Sequence, residues 1–272
     1  MLSVAVVLLV RTAIANWLLA FGVAVRIIGP MPATDRVLSG NDYLQQTQRP
    51  LNCLLFLLPM LLFFHLGLVL FKDPNQLLAV QHITRLMHFF VNSTTGFLPA
   101  FAVVGVLLIW HVARKDPWAV RPRVLAGMAG ESVGWMLPLI ALVVLVGKMG
   151  LAAANADQGG TMQRLLLSVG AGIYEEFIFR LMFIGGAILL LVKVFGLRRE
   201  AIALAAVAAS GVCFSLYHFD AHQLLSLQAF PWSDFVFRAL AGAYLGMLYL
   251  YRGYAIAVGA HAAWDIYVFH VV

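Results

Sequence analysis

Sixteen residues, Gly170 to Gly185 (GAGIYEEFIFRLMFIG), place Glu175, Glu176 and Arg180 inside a stretch apolar enough to cross a membrane. A charged side chain at the bilayer centre costs about 2.5–3.5 kcal/mol on insertion scales. A leucine there returns only about 0.3–0.6 kcal/mol. Three such charges in one segment therefore belong inside a helix bundle, where they serve a purpose. On a helix, Glu176 and Arg180 are i,i+4 neighbours on one face, so the guanidinium can neutralise that carboxylate. Glu175 points about 100° away and has no local cation, which suits a general base. A purely structural ion pair would explain Glu176 and Arg180 but would leave Glu175 without a role.

Two further polar clusters sit in later apolar runs. Phe214-Ser-Leu-Tyr-His218 places an imidazole one helical turn after a phenylalanine that would pack over the same face. His261-Ala-Ala-Trp-Asp265 places an imidazole and a carboxylate at i,i+4 on one helical face. Small neighbours around His261 (Gly259, Ala260, Ala262, Ala263) would let another helix approach closely. Each cluster alone also reads as structural: a core histidine, or a His–Asp hydrogen bond between helices. Together they bring two carboxylates, an arginine, two histidines and an aspartate from three segments. Little comparable appears in the first four candidate segments, where Glu131 and Arg11 are the exceptions, and Glu131 reads as interfacial.

The chain around these clusters has 272 residues, 62% of them hydrophobic and 11% charged, with a mean hydropathy of +0.92. Soluble domains carry about 25% charged residues, so the composition points to an all-α, polytopic transmembrane bundle in a cell membrane. The net charge of +6 fits lysines and arginines gathered in cytoplasmic loops, and no basic, aromatic-interleaved patch suggests a nucleic-acid partner. Cys53 and Cys213 both lie in apolar runs and form neither a disulfide framework nor a CxxC pair. The first residues lack a basic n-region and carry Arg11 within the apolar run, which argues for a span, or a helix lying partly in the interface, over a cleaved signal peptide.

A span needs about 20 apolar residues. Candidates are 2–25, 51–71, 97–113, 124–147, 164–192, 201–222, 235–251 and 255–272, or about eight helices. Residues 26–50 read as a loop and 73–95 as an amphipathic interfacial helix. The 114–123 connector carries four basic residues and one acid; Lys193, Arg198, Arg199 and Arg252 fall at alternate later connections. The basic loops are therefore expected on the cytoplasmic side. Residues 1–130 would be N-terminal membrane segments of unknown role, and 131–272 the catalytic membrane domain, with its motifs within 164–272.

The order EExxxR, FxxxH, HxxxD, each on its own membrane segment, resembles the CPBP family, which comprises CAAX-processing type II endopeptidases and bacteriocin-processing (Abi) proteins. The resemblance covers roughly 164–272. It implies an intramembrane endopeptidase acting on a peptide or protein substrate. Glu175 would activate a water, and His218 would hold and polarise it. Glu176 and Arg180 would form a supporting or substrate-binding pair, and His261 with residue 265 would stabilise the oxyanion. Prenyl-protein peptidases of the family usually carry Asn at the last position. Asp265 cannot donate a hydrogen bond unless protonated, so orienting His261 is its alternative role.

No cofactor is expected. A zinc-dependent version with Glu175, Glu176, His218 and His261 as ligands stays open on chemical grounds, although the sequence has no HExxH helix. His218, Asp220 and His222 form a second conceivable metal set. A non-enzymatic scaffold or immunity-type protein, and a proton or ion carrier using the same groups as a relay, are the remaining classes. The sequence does not indicate the oligomeric state. Helix depth poses a difficulty: counted along the segments, Glu175 falls near mid-bilayer, with His218 and His261 toward opposite ends of theirs.

Overall fold

The computed structural model describes residues 43–71, 97–146, 160–225 and 230–271. All regular structure among them is helical, as the composition predicts for a membrane bundle. The helices are α1 (Tyr43–Thr47), α2 (Pro50–Phe71), α3 (Leu98–Arg114) and α4 (Pro122–Val146), then the long rod α5 (Thr161–Val194). They are followed by α6 (Arg199–Tyr217), α7 (Ala221–Leu225), α8 (Trp232–Arg252) and α9 (Tyr254–Val271). Four of them, α2, α4, α5 and α6, are long and apolar enough to cross a membrane, and α3 is a shorter apolar helix of 17 residues. The segments expected at 235–251 and 255–272 are helical, as α8 and α9, but are not among these four. The segments expected at 2–25 and 73–95 lie outside the described residues.

Two boundaries differ from expectation. Within 26–50, residues 43–47 form a short helix instead of loop. The segment expected to run to residue 222 ends at Tyr217, and a separate short helix begins at Ala221. Asp220 accounts for the second break: its Oδ1 accepts from the Gln223 amide at 2.7 Å and its own amide donates to Gln223 Oε1 at 3.1 Å. That reciprocal pairing starts a new helix and stops the old one from continuing.

Helix α9 is the centre of the bundle. Tyr254, Ala255, Ile256, Ala257 and Val258 are all buried, because α4, α5, α8 and α2 pack around this first half. Small residues allow the approach. A β-carbon on Gly172 of α5 would lie 2.9 Å from Ala262 Cβ and 3.0 Å from Val258 O, and one on Gly259 would collide with Ser132 of α4. Glycine at such crossings is how helices come close without a hydrophobic drive from lipid. Gly253, at φ +94°, makes the turn between α8 and α9 in a region that disfavours side chains.

At one end of the bundle a polar latch joins distant parts of the chain. Glu131 of α4 accepts from Tyr43 Oη at 2.8 Å, Trp135 Nε1 at 3.0 Å and Arg252 Nη2 at 2.7 Å, and it also pairs with Arg252 Nε. Gln48 Nε2 donates to Tyr251 O at 2.9 Å. The starts of α2 and α4 and the end of α8 thus share one end of the bundle. Burial and the Glu131 hydrogen bond push the Tyr43 phenol up to about 12, so it keeps its proton at any physiological pH. Glu131→Ala should strand the buried Arg252 and cost about 3 kcal/mol. Thermal unfolding in detergent measures this, and an unchanged midpoint would contradict it.

The rod α5 is α-helical over Thr161–Glu176, π-helical over Phe177–Ile184, α-helical over Gly185–Ala187 and π-helical again over Ile188–Val194. Wider turns loosen the regular backbone ladder, and a carbonyl unsatisfied inside a membrane bundle is costly. Two hydroxyls from neighbouring helices add to the rod's own ladder: Ser210 donates to Phe179 O at 2.8 Å, and Tyr254 Oη donates at 3.0 Å to Ile173 O, which also accepts from the Phe177 amide.

Candidate active site

Glu175 and Glu176 are the last two α-helical residues of α5 before its π segment, and both are buried. The two carboxylates have different surroundings. Glu176 Oε1 lies 2.8 Å from His261 Nδ1, and its Oε2 lies 3.0 Å from Arg180 Nε, with both side chains of the ion pair fully buried. Glu175 Oε2 faces His218 Nε2 at 3.8 Å and His261 Nε2 at 3.9 Å. These separations exceed a direct hydrogen bond. Two imidazole edges and a carboxylate at such spacing can be bridged by one small polar molecule.

The close crossing at Gly172 makes the Glu176–His261 contact possible. It seats α5 against Val258 and Ala262, the two ends of the helical turn that carries His261. Any side chain at residue 172 would push α9 away. Gly172→Val should therefore lower stability by about 1–3 kcal/mol and reduce activity with it. Thermal unfolding and a cleavage assay read the two effects, and a variant matching the native protein in both would refute the packing argument.

His218 caps the end of α6. Its Nδ1 donates to Phe214 O at 2.7 Å, which leaves Nε2, the edge toward Glu175, free to accept. Phe214 is the aromatic floor of the site, with ring centres 4.7 Å from His218 and 6.0 Å from His261. The Arg180 guanidinium stacks over the same ring at 4.8 Å, and Arg180 Nη2 donates to Gly242 O of α8 at 3.1 Å.

Asp265 sits at the more open side of the pocket, its Oδ2 3.6 Å from His261 Nε2. The hydrogen-bonding carboxylate of His261 is thus Glu176, from another helix, rather than the i,i+4 neighbour suggested by spacing.

The three clusters converge despite their different depths along the segments. A 34-residue rod would span about 50 Å as a straight α-helix, well beyond the roughly 30 Å hydrocarbon core. Counting from the ends of its hydropathic stretch therefore misplaces Glu175 relative to its neighbours.

Asp220 is engaged in capping α7, and His222 is exposed on that helix, so these two do not join the cluster. Among the described residues, no group of three or more His, Cys, Asp or Glu is arranged to hold a metal ion.

One residue near the site lies outside all three sequence motifs. The guanidinium of Arg238, on α8, lies 5.2 Å over the ring of Phe219, the residue next to His218. The sequence does carry a signal for it, because Arg238 is a cation within the apolar run 235–251.

The bundle thus gathers paired buried glutamates, one against an arginine and the other facing two histidines. Residues 157–267, which hold all three motifs, match the family model for the type II CAAX prenyl endopeptidase Rce1-like proteins. No curated protein and no solved structure matches the chain.

Proposed function

We propose that this protein is an intramembrane endopeptidase that hydrolyses a peptide bond with a water activated by Glu175. The observation that carries the reading is the arrangement of Glu175 Oε2 opposite the Nε2 atoms of both His218 and His261, at 3.8 and 3.9 Å. A water between them donates one proton toward Glu175 and the other toward the free Nε2 of His218, which turns a lone pair outward to a substrate carbonyl.

As the oxygen–carbon bond forms, Glu175 takes the water proton and the carbonyl electrons move to oxygen. The proton then passes from Glu175 to the departing amine as the carbon–nitrogen bond breaks. His261 donates from Nε2 to the developing oxyanion. Its Nδ1–H is held by Glu176, which fixes the ring's orientation, and Arg180 holds Glu176 in turn. Asp265, on the far side of the His261 ring, steadies the charge that the imidazole carries.

The family description points to the C-terminal region of a prenylated protein as one substrate class, and Asp265 in place of the usual Asn makes that preference the part to test. The basic connectors, with the Glu131–Arg252 latch, lie on the cytoplasmic face in this reading, and 131–272 forms the catalytic part.

The test is cleavage by the purified protein in lipid nanodiscs, given matched peptides with and without a prenyl group and assayed with and without a chelator. Cleavage that survives chelation supports the water-and-glutamate mechanism. Cleavage abolished by chelation and restored by zinc would replace it with a metal-dependent one. No cleavage of any peptide would leave a scaffold in its place.

A further inference from the structure

We propose that His65, on α2, is a positioning residue for the two glutamates and acts through Tyr174; the inference rests on the peptidase reading above. His65 Nε2 and the Tyr174 hydroxyl lie 2.6 Å apart although the residues are 109 positions apart in the chain. His65 is 5% exposed and Tyr174 0%. Three aromatic contacts hold the pair in place. His65 stacks on Phe97 at 5.1 Å, meets Phe64 edge-on at 5.2 Å, and Phe64 in turn packs on Tyr174 at 5.6 Å.

An apolar pair would fill this space without desolvating a phenol and an imidazole, so burial alone does not account for the residue types. A hydrogen bond between helices adds direction, a fixed rotational setting of α5 at one point of its length. That point is Tyr174, the residue directly before Glu175, and the rod passes from α to π two residues later. From a second helix, Tyr254 of α9 donates to the carbonyl of Ile173 at 3.0 Å. The turn that presents Glu175 and Glu176 is therefore held from α2 and from α9 at the two residues directly before it. A rotation of α5 by one residue would swing Glu175 about 100° away from His218 and His261.

This assigns a role to a helix outside the matched segment 157–267. The N-terminal part of the chain supplies a strut for the catalytic turn.

The experiment compares His65→Ala, Tyr174→Phe and the double variant with the native protein in nanodiscs, measuring kcat, KM and the unfolding midpoint. Each single variant should lose on the order of ten- to a hundredfold in kcat, as a small misplacement of reacting groups does, with KM near its native value and a midpoint lowered by the polar group left unpaired, more in His65→Ala, which also leaves a cavity, than in Tyr174→Phe. The double variant should lose no more than the worse single one, because both remove the same link. His65→Gln, which can still bond the phenol, should recover most of the rate.

Single variants with native kcat would overturn the proposal, as would losses that multiply in the double variant. A rate loss that follows the midpoint across all the variants, His65→Gln included, would overturn it too. If His65→Ala does not fold, Tyr174→Phe, which removes a single oxygen, decides the matter. Glu175→Gln run alongside separates the two claims: an inactive Glu175→Gln beside a fully active His65→Ala sinks only the strut, whereas an active Glu175→Gln sinks the peptidase reading itself.

Discussion

Arg180→Met should cost about 3–5 kcal/mol of stability and remove cleavage altogether. Breaking a buried ion pair from one side leaves the other charge with neither water nor partner, which is why the cost is large even where the intact pair contributes little. Arg180 and Glu176 are both fully buried, so Glu176 would keep only His261 at 2.8 Å. The Gly242 carbonyl would lose its donor and the Phe214 ring its cation. Arg180→Lys keeps a charge but not the planar fork that reaches Glu176 and Gly242 together, and it should fall between the two. Unfolding in detergent, read by loss of helical signal, gives the stability term. A methionine variant within about 1 kcal/mol of native would mean that the pair is not the keystone of the site.

Glu175→Gln should leave the fold unchanged and the chemistry nearly absent. The amide matches the carboxylate in shape, and the nearest ionisable partners of Glu175 stand at 3.8 and 3.9 Å, beyond hydrogen-bond reach. No tight ion pair is therefore broken. Removing a positioned general base typically lowers a rate about a hundredfold to ten-thousandfold. The expected signature is a kcat reduced by that factor beside a native unfolding midpoint, the opposite of the Arg180→Met pattern, in which both fall. His218→Ala should resemble Glu175→Gln in kind, because it removes the second acceptor for the same water.

Much of the site is legible in the residues alone, because ionisable side chains in apolar helices are conspicuous and helical spacing is reliable. Glu176 and Arg180 pair as i,i+4 spacing requires, and Phe214 packs on His218 as a one-turn offset implies. Spacing does not reveal the partner of His261. Sequence proximity favours Asp265, yet the hydrogen bond goes to Glu176, which lies 85 positions away and becomes a neighbour only through the Gly172 crossing.

The π segments of α5 leave no periodic trace, since its apolar faces are continuous. Asp220 reads as a loop residue, and its capping of α7 is visible only once Gln223 is seen to return the bond. In the N-terminal half, His65 gives no signal because a lone histidine in an apolar run is most simply a core residue. The Glu131–Arg252 latch is equally hidden, since its partners are 121 residues apart.

The most direct measurement is single-turnover cleavage in water enriched in oxygen-18, with native protein and Glu175→Gln side by side in nanodiscs and mass spectrometry of the new carboxyl terminus. The account predicts one heavy oxygen in the native product and no product above background from the variant. Product released by Glu175→Gln at the native rate would show that another group activates the water, and the role assigned to Glu175 would be wrong.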